Sequence, residues 1–96
     1  MSGYENVISE HLRITILRLL DEHNGTSNDS LLCDLVAPFG FNPSRDKMRT
    51  ELNWLAEQGL VECSDNGCMT VELTQRGEDV AKCRVIVPGV KRPARR

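Results

Sequence analysis

SRDKMRTELNWLAEQGLVECSDNGCMTVEL, residues 44–73, changes its period halfway along. In the first half Met48, Leu52 and Leu55 recur at spacings of three and four, with Ala56 beside them. That spacing marks one apolar face of a helix. Ser44 is a natural N-cap, and Asn42 followed by Pro43 also suits a helix start. After Gly59 the period becomes two. Val61 and Cys63, then Met69, Val71 and Leu73, alternate with polar residues as in half-buried strands. Asp65-Asn66-Gly67 reads as a three-residue hairpin loop with Gly67 left-handed. Cross-strand partners must share a face, so Cys63 is expected opposite Met69 and Val61 opposite Val71. This register points Cys63 inward and Cys68 outward, which disfavours a disulfide between them.

Upstream, a first helix is expected from about residue 4 to 23. Ile8, Leu12, Ile16, Leu19 and Leu20 form its stripe and Leu17 widens it. Asn24-Gly25 ends it. A second helix is expected from about Asp29 to Ala37, capped by Ser27 or Asn28 and stopped by Pro38 and Gly40. Its buried face is read as Leu31, Leu32, Leu35 and Val36. Phe39 and Phe41 are expected to anchor the connector. Downstream, Thr74 caps a fourth helix that carries Val80 and Ala81 inward and ends near Cys83. The expected fold is α+β, a winged helix-turn-helix in the order α-α-α-β-β-α with an extended C-terminal tail. A short strand near Thr26 is a further option. Residues 1–83 form the domain, and 84–96 hold a β-prone run and a basic tail.

The chain has 96 residues and a net charge of −2, but the charge is unevenly placed. From residue 84 to the end there are five basic residues, Arg84, Lys91, Arg92, Arg95 and Arg96, and no acid. Residues 1–83 therefore hold seven basic against fourteen acidic residues, a net of −7. An acidic body with a basic tail opposes indiscriminate nucleic-acid binding, because phosphate contacts dominate that affinity. A local basic patch still suffices. Ninety-six residues make one domain with a modest core, built here from Leu, Ile and Val. No apolar run approaches the roughly 18 residues of a membrane span. The N-terminal residues lack signal-peptide character, so a cytoplasmic location is expected.

Helix 44–57 carries the candidate function. Arg49, Thr50 and Asn53 lie off its apolar stripe; Arg45 projects nearer the stripe but sits in the first turn, where a long side chain still reaches outward. Arginine can bond guanine bidentately and Asn can do so with adenine, so these types suit base reading. Lys47 and the tail cations Lys91, Arg92, Arg95 and Arg96 suit phosphate contacts. A solvated helix face is the plain alternative, and Asp46, Glu51 and Glu57 dilute its charge. The tail is equally consistent with simple solvation. The hairpin tip offers Asp65 and no cation, so it is not assigned a phosphate role. Trp54 sits on the flank of Lys47, away from the stripe, where the hairpin, the tail or a second subunit would cover it. Arg84-Val85-Ile86-Val87 is β-prone and would extend the sheet or pair with a second copy. Trp54, Val85, Ile86 and Val87 are thus the candidate interface of a homodimer.

No enzyme is read here. The chain has no P-loop, no Gly-rich dinucleotide turn and no His-Glu-x-x-His. Cys33, Cys63, Cys68 and Cys83 show no C-x-x-C spacing, and they are expected as reduced thiols without metal. No cofactor is implied.

The run Met48, Leu52, Leu55-Ala56-Glu57-Gln58-Gly59-Leu60-Val61, followed by a hairpin and Leu73-Thr74-Gln75-Arg76-Gly77, resembles winged-helix regulators of the MarR and PadR type. That resemblance implies a recognition helix, a wing and double-stranded DNA as partner. The chain departs from those regulators in its acidic wing tip and its lack of long dimerisation helices. SLLCDLVAPFGFNPSRDKMRTELNWLAEQGLV, with VPGVKRP, is similar to a family of small proteins of Mu-like bacteriophages and prophages. This second resemblance covers nearly the whole chain and implies a phage origin.

Overall fold

The computed structural model describes residues 3–92, and for residue 5 the backbone alone. Its elements are α1 (Gly3–Glu22), β1 (Thr26–Asn28), α2 (Asp29–Val36), a 3-10 turn (Ala37–Phe39), α3 (Arg45–Glu57), β2 (Val61–Asp65), β3 (Met69–Leu73) and α4 (Gln75–Ala81). The protein is α+β, with four α-helices and a three-stranded antiparallel sheet in the order β1-β3-β2. The expected order omitted β1 from its main sequence. Thr26-Ser27-Asn28 pairs with Glu72, Val71 and Thr70, so the capping segment is also the third strand. No described helix is long and apolar enough to cross a membrane.

Local chemistry sets the helix starts. Asn28 accepts the Leu31 N–H at 2.8 Å, and Ser44 accepts the Lys47 N–H at 3.0 Å. Thr74 accepts the Gly77 N–H at 3.0 Å while its own hydroxyl donates to the Gly59 carbonyl at 2.7 Å. One side chain thus opens α4 and ties it to the end of α3. Gly77 is buried, and a Cβ there would run into the Leu60 carbonyl oxygen and the Leu73 side chain. The glycine of Leu-Thr-x-x-Gly therefore serves close approach of α4 to the backbone that leaves α3.

The hairpin register differs from the expected one by two residues. Cys63 faces Val71, Val61 faces Leu73 and Asp65 faces Met69, leaving residues 66–68 as the loop. A shift of two keeps every side chain on its expected face. Side-chain alternation therefore cannot separate the two registers. The observed one lengthens the ladder to Leu73, whose N–H also reaches the Gly25 carbonyl at 2.7 Å.

Ile16, Leu17, Leu20, Leu32, Val36, Met48, Leu52, Leu55, Leu60, Val61 and Val71 form the fully buried centre. Four sequence expectations are corrected around it. Ile8 and Leu31 are exposed, while Ile14 is buried. Phe39 is exposed, whereas Phe41 packs half-buried against the core. Glu51, expected on the solvated face, is buried. Residues 84–92 form bends and turns with no strand. They still belong to the core, because Val87 and Val90 are buried in it and Val85 packs against it. Burying such a side chain contributes about 1.5–3 kcal/mol, whereas the exposed Arg84–Asp79 pair contributes at most about 1 kcal/mol. Apolar contact holds this segment down.

Candidate functional site

Two carboxylates organise α3, one on each flank. The first is Asp29, at the start of α2 and fully buried. It accepts the Ser30 N–H at 2.8 Å and Arg45 Nε at 3.1 Å, and Arg49 Nε lies 3.5 Å from the same oxygen. Arg45 and Arg49 are one helical turn apart, so a single carboxylate can reach both. Burial alone would raise the Asp29 pKa. The hydrogen bonds from Arg45 and Ser30, with the charges of both arginines, outweigh it and hold the carboxyl below its ordinary value. Arg45 is correspondingly pushed up, chiefly by its hydrogen bond to Asp29. Arg49 has a second partner, because its Nη2 donates to Asp65 at the end of β2, at 2.6 Å.

The second carboxylate is Glu51. Arg13 of α1 donates to it through Nε at 2.6 Å, and Lys47 lies 2.8 Å away. Burial raises the Glu51 pKa, but Lys47 and Arg13 outweigh it and leave the group lowered. Lys47 also reaches the Ser9 hydroxyl at 3.5 Å. Arg13 further donates to the Gly89 carbonyl at 2.8 Å and stacks over Trp54. Gly89 has φ +95°, and a Cβ there would stand 2.6 Å from the indole. The C-terminal segment is thus the cover that Trp54 needed, and within this chain no subunit interface is required for it.

The predicted readers therefore separate into two groups. Arg45, Arg49, Thr50 and Asn53 share the outer side of α3; Arg49 reaches β2 through Asp65, while Thr50 lies toward α1 and donates to the Asp46 carbonyl. Lys47 lies on the α1 flank. Lys91 and Arg92 are exposed, and the Lys91 N–H meets the Glu10 carbonyl at 3.2 Å. Arg95 and Arg96 lie outside the described residues. Of the candidate interface residues, Val87 is in the core, Val85 and Trp54 are half-buried, and Ile86 is exposed. An open groove of about 600 Å³ runs between the start of α1 and α3, lined by Ile8, Ser9, Arg13, Lys47 and Thr50 among others. Among the described residues, no group of three His, Cys, Asp or Glu is placed to hold a metal.

Sequence reasoning missed Asp29, Glu51 and Arg13. Their pairing crosses 16 and 38 residues of chain, which helix periodicity does not report. The Lys47–Glu51 spacing of four was the one local signal.

The chain is 45% identical over 89 residues to the uncharacterized protein gp26 of Escherichia phage Mu, covering 92% of this chain and 93% of that one. The chain belongs to this family of Mu-type phage proteins. A second member of similar sequence is an uncharacterized protein of Haemophilus influenzae, 37% identical over 76 residues, covering 77% of this chain and 74% of its own. Coverage of nine-tenths of both the Mu protein and this chain means that the kinship concerns the whole fold, not a shared motif. No family model matches the chain, and no solved structure does.

Proposed function

We propose that this member of the Mu gp26 family is a winged-helix protein that binds double-stranded DNA, in transcriptional control or another phage DNA transaction. In this reading α2 and α3 are the helix-turn-helix, β2–β3 is the wing and α3 is the reading helix. The observation that carries it is the pair Arg45 and Arg49 held on the outer side of α3 by the buried Asp29. The closest contact to Asp29 is through Nε in both. Arg45 held there keeps its terminal nitrogen fork for a guanine edge, and Arg49 keeps one once Asp65 leaves its Nη2; in both, side-chain entropy is already spent before DNA arrives. Thr50 and Asn53 add a hydroxyl and an amide on the same side. At about 20 Å long, α3 fits the major groove. Lys47 on the α1 flank contacts phosphates, as do the tail cations at 91, 92, 95 and 96. A binding screen of Mu-type phage DNA fragments at two salt concentrations tests this. Salt-dependent retention of some fragments supports the reading, and no retention of any fragment at low ionic strength rejects it.

A second reading is a protein-interaction module on the same fold, serving phage replication or assembly. It is favoured by the exposed Tyr4, Val7 and Ile8 at the start of α1, and by the carboxylate partner that each α3 cation has. A stable dimer, with Trp54 fluorescence changing on dilution, supports it. A monomeric mass with unchanged fluorescence removes its self-associating form.

A further inference from the structure

The two carboxylates on Arg49 differ in kind. Asp29 is fully buried, comes from α2 and holds Arg45 as well. Asp65 is exposed, stands at the hairpin end of β2 and meets only the outer nitrogen of Arg49 at 2.6 Å. Its side chain is 57% accessible, against 0% for Asp29. An exposed ion pair is weak and exchangeable, whereas the Asp29 contact is built into the junction of two helices. Asp65 also occupies the wing tip, where a cation would favour DNA, and Asn66 and Gly67 beside it bring no positive charge.

We propose that Asp65 is an internal phosphate mimic that occupies Arg49 in the free protein and suppresses binding to DNA of arbitrary sequence. The inference rests on the DNA-binding reading above and adds a regulation of that same face. A phosphodiester and the Asp65 carboxylate compete for one guanidinium nitrogen. A phosphate contact alone replaces one anion by another, while the wing carboxylate, once displaced, stays near the DNA backbone and repels it. A base contact from Arg45, which Asp29 holds and Asp65 does not meet, supplies what the phosphate exchange does not. Random duplex is therefore penalised more than a cognate site.

The test measures binding of a random-sequence 30-base-pair duplex, labelled for fluorescence anisotropy, to the full chain at low and moderate salt. Four proteins are compared: the native chain, Asp65→Asn, Arg49→Ala and the double variant. Circular dichroism and thermal melting of each verify folding. Asp65→Asn is expected to bind about three- to tenfold more tightly than the native chain, since one opposing charge leaves the interface. Arg49→Ala placed on Asp65→Asn removes most of that gain, because the mimic acts through Arg49. Asp65→Asn binding no better than the native chain, with both binding measurably, overturns the mimic and leaves the DNA reading standing. A gain that survives Arg49→Ala overturns the pairing as its route. No binding by any of the four at low salt, where each is folded, rejects the DNA reading and the mimic with it.

Discussion

Arg13 sits over the face of Trp54, with its Cζ 3.9 Å from the ring centroid. The same guanidinium reaches Glu51 on α3 and the carbonyl of Gly89. One side chain of α1 therefore clasps α3, the indole and the C-terminal segment together. A cation on an indole face contributes about 0.5–2 kcal/mol, depending on how dry the contact is. The remainder comes from Val87 and Val90 beneath it.

Gly89→Ala places a Cβ into the indole at a left-handed backbone position. We expect a loss of about 1–3 kcal/mol in stability and a red shift of Trp54 emission as its cover lifts. Denaturant unfolding followed by fluorescence measures both. An unaltered midpoint with unshifted emission contradicts the clasp.

Acid sensitivity follows from Asp29 and Glu51. Both are held below their ordinary values of 3.8 and 4.5. They stay ionised in the folded protein at a pH where the unfolded chain takes up protons. Their contribution is complete above about pH 4.5 and is lost as pH falls through the lower, folded values. Glu51→Gln is expected to cost about 1–3 kcal/mol at neutral pH, by leaving Arg13 without its carboxylate. The same change flattens the acid limb of the stability curve. A variant that keeps the native slope between pH 5 and 2 contradicts the assignment.

All four cysteines are free. Burial pushes up the thiols of Cys63 and Cys33, with the charges of Asp29 and Asp34 adding to the effect at Cys33. Cys83 is exposed. Reaction with a thiol reagent at neutral pH is expected to label Cys83 first and Cys63 late, since the thiolate is the reactive form. In denaturant all four react. A native disulfide found by mass spectrometry overturns this order.

The sequence displayed some of this architecture openly. Ser44, Thr74 and Asn28 stand where their capping hydrogen bonds form, so three helix starts were legible from single residues. The face of every hairpin residue was legible too, because alternation reports parity. Register was not, since a slip of two preserves parity, and only the third strand and the Leu73 contact to Gly25 separate the choices. Leu31 and Ile8 fit their helical stripes but face solvent, because a stripe gives a direction without telling where the neighbouring element stops. At the candidate site, Arg45 and Arg49 were visible as a chemical type one turn apart. The Asp29 that holds them was legible only as the first residue of α2. Its burial comes from the packing of α2 on α3, which no local pattern encodes. The same holds for Glu51, which looked like a diluting surface charge and is the buried carboxylate that Arg13 and the exposed Lys47 converge on.

We propose that α3 reads DNA through arginines positioned by Asp29. The most direct measurement is the affinity of the native chain, Arg45→Ala and Arg49→Ala for the fragment of Mu-type phage DNA that it retains most strongly, at two salt concentrations. Each substitution is expected to weaken binding by about 1–3 kcal/mol if its guanidinium meets guanine, with the folded state intact by circular dichroism. Both variants binding as tightly as the native chain, or no fragment bound even at low ionic strength, contradicts the account.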